Sequence, residues 1–129
     1  MANYDTLPGA IANADMSTMQ FSFVNMSGST SVDFEIQQST SATVRYVGIL
    51  MNAPTSSGQP AEVALPGGVA KLRFDGSITQ GGLIVCSSGG KGGVDSTTAG
   101  EWVSAESLQT GTSTGVFYVR ILQAFQHST

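Results

Sequence analysis

Clusters of glycine, proline and serine interrupt this chain at short intervals, and the spacing of these breaks is the strongest constraint on its fold. The stretches between the clusters are short and rich in β-branched and aromatic residues, as in "VRYVGIL" and "VFYVRIL". Glycine and proline disfavour helix interiors, and the apolar residues do not recur with a helical period. The pattern therefore predicts short β-strands joined by tight turns.

Eight stretches have the composition of strands. They are 21–26, 32–36, 42–50, 61–65, 69–74, 82–87, 101–108 and 116–125. In 32–36 the alternation predicts Val32, Phe34 and Ile36 on one face of the strand. Strands of this number and spacing are typical of sandwiches and barrels. We predict an all-β fold, a compact antiparallel β-barrel or sandwich of about eight short strands with an extended N-terminal arm.

The N-terminal arm, residues 1–19, contains Pro8 and Gly9 and has no clean period, whereas residues 20–129 are predicted to form a single β domain. Such an arm is expected to be ordered against a partner. Its larger apolar side chains are candidate contacts with a capsid subunit or a neighbouring copy: Tyr4, Leu7, Ile11, Met16 and Met19. The N-terminus lacks the basic and apolar regions of a secretory signal, and Cys86 is the single cysteine, which suits synthesis in a reducing cytoplasm.

Charged residues make up 11% of the chain, against roughly 25% in ordinary soluble domains. The net charge is −4, and the five basic residues are scattered along the sequence. Nucleic-acid binding is not expected, because it needs several cations that converge on phosphates. No apolar run is long enough for a membrane helix. A surface poor in charge loses little free energy when another protein covers it, so we expect extensive protein contacts.

The stretch "GGKGGVDST" (89–97) begins like the phosphate-binding loop of a partition-type ATPase. In that frame, however, Asp95 replaces a required glycine and Ser96 replaces the required lysine. No helix pattern follows, although a phosphate site of this type needs a helix N-terminus. We predict a hairpin loop in which glycines adopt positive φ.

No other pattern points to catalysis, a cofactor, a metal or a small-molecule substrate. His127 is the single histidine and is predicted to lie in a frayed tail. A metal site or a Ser-His-Asp triad would need a held imidazole with converging partners. Trp102 is open to two interpretations, a core residue of a strand or an exposed contact residue. Three arginines in strands, Arg45, Arg73 and Arg120, either face a partner or pair with an acidic residue. The acidic candidates are Asp33, Glu35 and Glu62.

From Val47 to Leu122 the chain resembles the small head-decoration (capsid cement) proteins of tailed bacteriophages. The resemblance lies in the order of four signatures: "VGIL" (47–50), "GQPAEVALPGGVAKL" (58–72), "GSITQGGLIVCSSGGKG" (76–92) and "SAESLQTGTSTGVFYVRIL" (104–122). One position departs from the pattern, since Gly82 stands where the family often has aspartate.

The resemblance implies a structural virion protein, made in the host cytoplasm, that binds the outer capsid surface and stabilises the lattice. It implies the major capsid protein as partner and a homotrimer on the particle, with no enzymatic activity and no cofactor. Two alternatives remain open. One is another virion component, such as a head-fibre base or a tail-associated β domain, and the other is a carbohydrate-binding β-sandwich.

Overall fold

The computed structural model describes residues 3–111 and 115–128, which form ten β-strands and no α-helix. The strands are β1 (Ile11–Ala12), β2 (Phe23–Met26), β3 (Glu35–Gln38), β4 (Gly48–Leu50), β5 (Val63–Ala64), β6 (Val69–Phe74), β7 (Leu83–Cys86), β8 (Gly92–Val94), β9 (Trp102–Ser107) and β10 (Gly115–Gln126). A 3₁₀ turn, Ser88–Gly90, separates β7 from β8. The predicted all-β class is confirmed, and the two strands missed by the sequence pattern are the short β1 and the glycine-containing β8.

The strands form two sheets. One has five strands in the order β1-β3-β2-β4-β5, and the other is a closed barrel in the order β10-β6-β8-β7-β9. Most neighbours are antiparallel, as expected, but β1 pairs with β3 and β6 pairs with β8 in parallel. The barrel closes because β10 pairs with both β6 and β9.

The five-stranded sheet is buried on both of its faces. Side chains alternate along a strand, so Phe23 and Ile49 point into the barrel core while Val24 and Leu50 point to the opposite side. All four side chains are fully buried. The two core clusters therefore lie on opposite sides of the sheet, with the barrel core on one side and, on the other, a cluster to which Leu7, Ala10 and Met16 of the N-terminal segment contribute.

The described part of the N-terminal arm, residues 3–19, lies along its own chain. Backbone hydrogen bonds join Asn3 N–H to the Val69 carbonyl at 2.9 Å and Leu7 N–H to the Val63 carbonyl at 3.0 Å. Further along, Ala12 N–H donates to the Gln59 carbonyl at 2.9 Å. These bonds pair the backbone of the arm with β5, with β6 and with the loop before β5.

Gly92 has a specific packing role inside the barrel. A Cβ atom at this position would lie 2.6 Å from Leu72 Cδ2, 2.8 Å from Phe74 Cδ2 and 3.0 Å from Ile84 Cγ2. The absence of a side chain on β8 therefore leaves the space that these three core side chains fill.

The predicted strand 32–36 is wrong over its first half. The segment before β3 is a turn in which Ser29 Oγ accepts hydrogen bonds from the backbone N–H groups of Ser31 and Val32. Phe34 has φ 61° and is 54% exposed, so it does not share a buried face with Ile36. Serine side chains that bond to the nearby backbone compete with strand pairing, and here the turn is formed instead.

The predicted strand 42–50 is reduced to β4, and the residues before it are held by Tyr46. This buried side chain packs edge-on against Phe23, with ring centroids 5.4 Å apart. Its hydroxyl lies between the carbonyl oxygens of Ser104, at 2.9 Å, and Leu122. Tyr46 thus ties the segment before β4 to the barrel.

We expect the stability of the protein to fall above about pH 10, because burial raises the pKa of Tyr46 above its ordinary value. The folded state then favours the neutral phenol, so this contribution is complete below the pKa of an unfolded tyrosine and is lost as the pH rises through the folded-state pKa. The variant Tyr46→Phe should lose about 1–2 kcal/mol at pH 8 but show a shallower decline from pH 10 upward. Urea unfolding followed by Trp102 fluorescence measures both.

A second tyrosine also contributes in that range, since its hydrogen bond to Glu62 raises the pKa of Tyr4 to about 12. Tyr4→Phe is therefore the matched control for alkaline unfolding. An identical alkaline decline in the wild type and in Tyr46→Phe would contradict the assignment to Tyr46.

Candidate interaction surfaces

The single histidine is held rather than frayed, so that prediction is wrong. His127 Nε2 lies 2.9 Å from both carboxylate oxygens of Asp95. The backbone N–H of His127 donates to the Glu101 carbonyl, and Gly100 N–H donates to the His127 carbonyl, both at 2.9 Å. These contacts fasten the loop before β9 to the end of β10. Within the described ranges, no group of three or more side chains is placed to hold a metal ion.

The stretch 89–97 forms a turn and a strand. Gly89 and Gly90 have φ of 73° and 75°, and Cys86 pairs with Gly92 across the antiparallel β7–β8 hairpin. The hairpin and its positive-φ glycines are confirmed. After Lys91 comes the strand β8, not the helix that a phosphate-binding loop requires.

The candidate contact residues of the N-terminal arm face the body of their own chain to different degrees. Met16 is 1% exposed and belongs to the core cluster on the outer side of the five-stranded sheet. Leu7 and Met19 pack partly buried against the same cluster, and Ile11 lies in β1 against β3. Tyr4 is half-buried and packs against the barrel core. Contact of this segment with a neighbouring chain stays a prediction.

Trp102 is half-buried in β9, between the two interpretations of the sequence. The guanidinium carbon of Arg45 lies 5.6 Å from the centroid of its ring. This cation–π contact covers one face of the indole, so that face is not an open platform for a sugar.

A groove of about 460 Å³ runs between the five-stranded sheet and β10. Its lining is mainly apolar, with one guanidinium and two amides: Asn25, Met26, Arg45, Tyr46, Val47, Leu65, Pro66, Gln123 and Ala124. This lining contains no carboxylate, histidine or thiol, and the hydroxyl of its one phenol, Tyr46, is hydrogen-bonded to two backbone carbonyls.

The fold brings together basic residues that are scattered in the sequence. Three of the five lie on the outer side of the barrel, where Val116 is paired with Arg73 and Tyr118 with Lys71, and where Arg120 is paired with Val69. We call the group Lys71, Arg73, Val116, Tyr118 and Arg120 the basic face. Residues that are far apart in the sequence thus form one group of cations in the folded chain.

The sequence offers Asp33, Glu35 and Glu62 as acidic partners for the arginines. Across the described residues, none of these three forms an ion pair with an arginine. Arg120 Nε instead lies 3.8 Å from Glu106 Oε1 on β9, and an Arg73 amino group donates to the Thr18 carbonyl at 2.9 Å. The alternating residues "K-L-R" (71–73) and "V-F-Y-V-R" (116–120) are a sequence signal for the basic face, but only the strand register shows that they are neighbours.

The architecture defines the class of the protein: an all-β module in which a closed five-stranded barrel is fused to a five-stranded sheet. The part of the chain that the structure describes has no helix long and apolar enough to cross a membrane. No protein-family model matches the chain, and no curated protein matches its sequence.

The same fold is found in the head fiber gp8.5 N base of bacteriophage phi29. The two structures align with a TM-score of 0.67 over 95% of each chain, at 11% sequence identity. The alignment includes the barrel, the sheet and nearly the whole length of both chains, so the likeness extends to the complete fold. That neighbour is a structural component of a phage head fibre.

Proposed function

We propose that this chain is a structural protein of a bacteriophage virion and serves as a head-fibre base on the outside of the capsid. The observation that carries the proposal is the full-length similarity to the phi29 head fiber base. The order of short signatures between Val47 and Leu122 points independently to a virion surface protein. This head-fibre role takes the place of the lattice-stabilising cement role as the main proposal, because the fold of a fibre base is matched over 95% of the chain.

The physical properties of the chain support a role in assembly. Only 11% of its residues are charged, so covering its surface with protein requires the desolvation of few ions. The groove between the five-stranded sheet and β10 is lined mainly by apolar side chains, which suit a protein contact. The proposed partners are the major capsid protein and, as the resemblance to decoration proteins implies, two further copies of the chain.

Particle association is the first expected result. In a lysate of phage-infected cells separated on a sucrose gradient, we expect this chain to sediment with the major capsid protein, as followed by mass spectrometry. If it stays in the soluble fractions while capsids sediment, the virion proposal is wrong.

Deletion of the gene separates the two virion roles. For a head-fibre base, particles without the chain should lose surface fibres in electron micrographs and keep the thermal stability of the capsid shell. For a cement protein, the copy number should be comparable to that of the capsid protein, and the particles without it should break open at a lower temperature. The second result would restore the lattice-stabilising role.

A further inference from the structure

We infer that the basic face docks on a carboxylate-bearing protein surface of the phage particle, so that β6 and β10 form the attachment side of the barrel. The inference rests on the proposed function and adds to it the side of the molecule and the chemistry of its partner.

Alternation along β6 and β10 separates core from surface. Leu72 and Val119 are fully buried in the barrel, so their sequence neighbours point outward. Lys71 and Arg120 are exposed, and Val116 is 45% exposed. The outward-facing residues of β6 from position 69 to position 73 span about 13 Å along the strand. The outward-facing residues of β10 lie beside them, so the surface is two strands wide.

Each cation of the basic face is oriented by its neighbours, and among the described residues Lys71 and Arg73 form no ion pair with a carboxylate. Lys71 Nζ lies between two rings, 5.8 Å from the centroid of Phe21 and 5.7 Å from that of Tyr118. Arg73 uses one N–H group on the Thr18 carbonyl, and a guanidinium has five N–H donors. Arg120 does pair with a carboxylate, that of Glu106, at 3.8 Å and through a single nitrogen.

The charge of this face is opposite to that of the whole chain. Lys71, Arg73 and Arg120 contribute three positive charges, and the paired Glu106 removes one, which leaves two. The chain as a whole carries a net charge of −4. Electrostatic complementarity therefore favours a partner surface that carries carboxylates. Aromatic and arginine side chains are enriched in protein interfaces. The basic face has both kinds, in the half-buried Tyr118 and in Arg73 and Arg120. A polyphosphate chain would be held weakly by so few cations at physiological salt.

Zero-length cross-linking on purified particles tests the inference with the natural chain. A carbodiimide joins a lysine amine to a carboxylate that it touches, and the chain has only two lysines, Lys71 and Lys91. We expect Lys71 to be coupled to an aspartate or glutamate of another particle protein, and Lys91 to remain unlinked. Acetylation of both lysines in the free chain gives the reference reactivity, from which Lys71 should be protected on the particle.

The outcomes separate the alternatives. Coupling of Lys71 to a second copy of this chain, or equal acetylation of Lys71 on and off the particle, would overturn the inference. Protection of Lys71 without any carboxylate cross-link would point to a phosphate-bearing polymer and would also overturn it. Absence of the chain from particles contradicts the proposed function itself and removes the basis of the inference.

Reattachment gives an independent measurement. Particles from a deletion strain are incubated with the purified chain, and the double variant Lys71→Glu/Arg73→Glu should bind at least about tenfold more weakly than the wild type, because like charges then oppose each other. Lys91→Glu is the matched control and should bind like the wild type. Equal binding of the double variant, with an unchanged melting temperature, would contradict the inference while leaving the virion role intact.

Discussion

Gly48→Ala is expected to lower the free energy of unfolding by about 3 kcal/mol, among the largest effects of any single methyl group in this chain. Gly48 is buried in β4, where the neighbouring strand β5 approaches it closely. A Cβ atom at this position would collide with the carbonyl oxygen of Ala64 and lie 2.7 Å from Val63 Cγ1. Since a backbone carbonyl cannot rotate away as a side chain can, β4 and β5 would have to separate.

Separation of these strands would disturb both cores at once. Ile49 points into the barrel and Leu50 into the outer cluster, so a shift of β4 loosens the packing on each side of the sheet. Urea unfolding followed by Trp102 fluorescence measures the loss. Gly58→Ala is the control, because Gly58 has φ 85° but open space around it, and only backbone strain of about 1 kcal/mol is expected. Equal losses for the two variants would show that the close approach of β5 is not what requires Gly48.

Phe74→Ala is expected to lower the free energy of unfolding by about 3–5 kcal/mol, the second large effect. Phe74 is fully buried at the end of β6, and its ring lies 5.7 Å from that of Phe117. It is paired with Gly115 on one side and Gly92 on the other, so its neighbours in the ladder have no side chains that could fill a cavity. Chemical unfolding measures this loss, and Phe125→Ala, which removes a ring that is 46% exposed, should lose less than about 1 kcal/mol.

A double-variant cycle sharpens this expectation. Gly92→Ala alone should be destabilising, because its methyl group would lie 2.8 Å from Phe74 Cδ2. In a Phe74→Leu background the same methyl enters space that the ring has left, so its effect should be smaller. Additive losses would show that Phe74 and Gly92 are not packed against each other as the structure has them.

The strand-and-turn character of the chain was predictable because it depends on local chemistry. The alternation in 69–74 correctly places Leu72 and Phe74 in the core, and the glycines at 89 and 90 correctly mark a turn. The prediction failed where a second local preference competed. Val32 and Phe34 alternate like strand residues, but Ser29 bonds to the backbone beside them and both side chains are exposed.

The candidate contact surfaces were less predictable, since they depend on pairs of residues far apart in sequence. Lys71 and Tyr118 become neighbours only through the register of β6 with β10. For the N-terminal arm the difficulty is of another kind. Burial of a methionine side chain is equally favourable in the core of its own chain and in an interface with a partner. The sequence therefore could not show that Met16 is buried in its own chain.

The pairing of β10 with both β6 and β9 has a consequence for synthesis on the ribosome. Until Gln126 has emerged, a nascent chain carries the remaining barrel strands as an open sheet with two unpaired edges. Such edges readily pair with strands of other molecules. Nascent chains on neighbouring ribosomes of one messenger RNA could therefore pair with each other and aggregate. Closure of the barrel can be completed only after β10 has been made, and any stop of translation within β10 would release a product prone to aggregate.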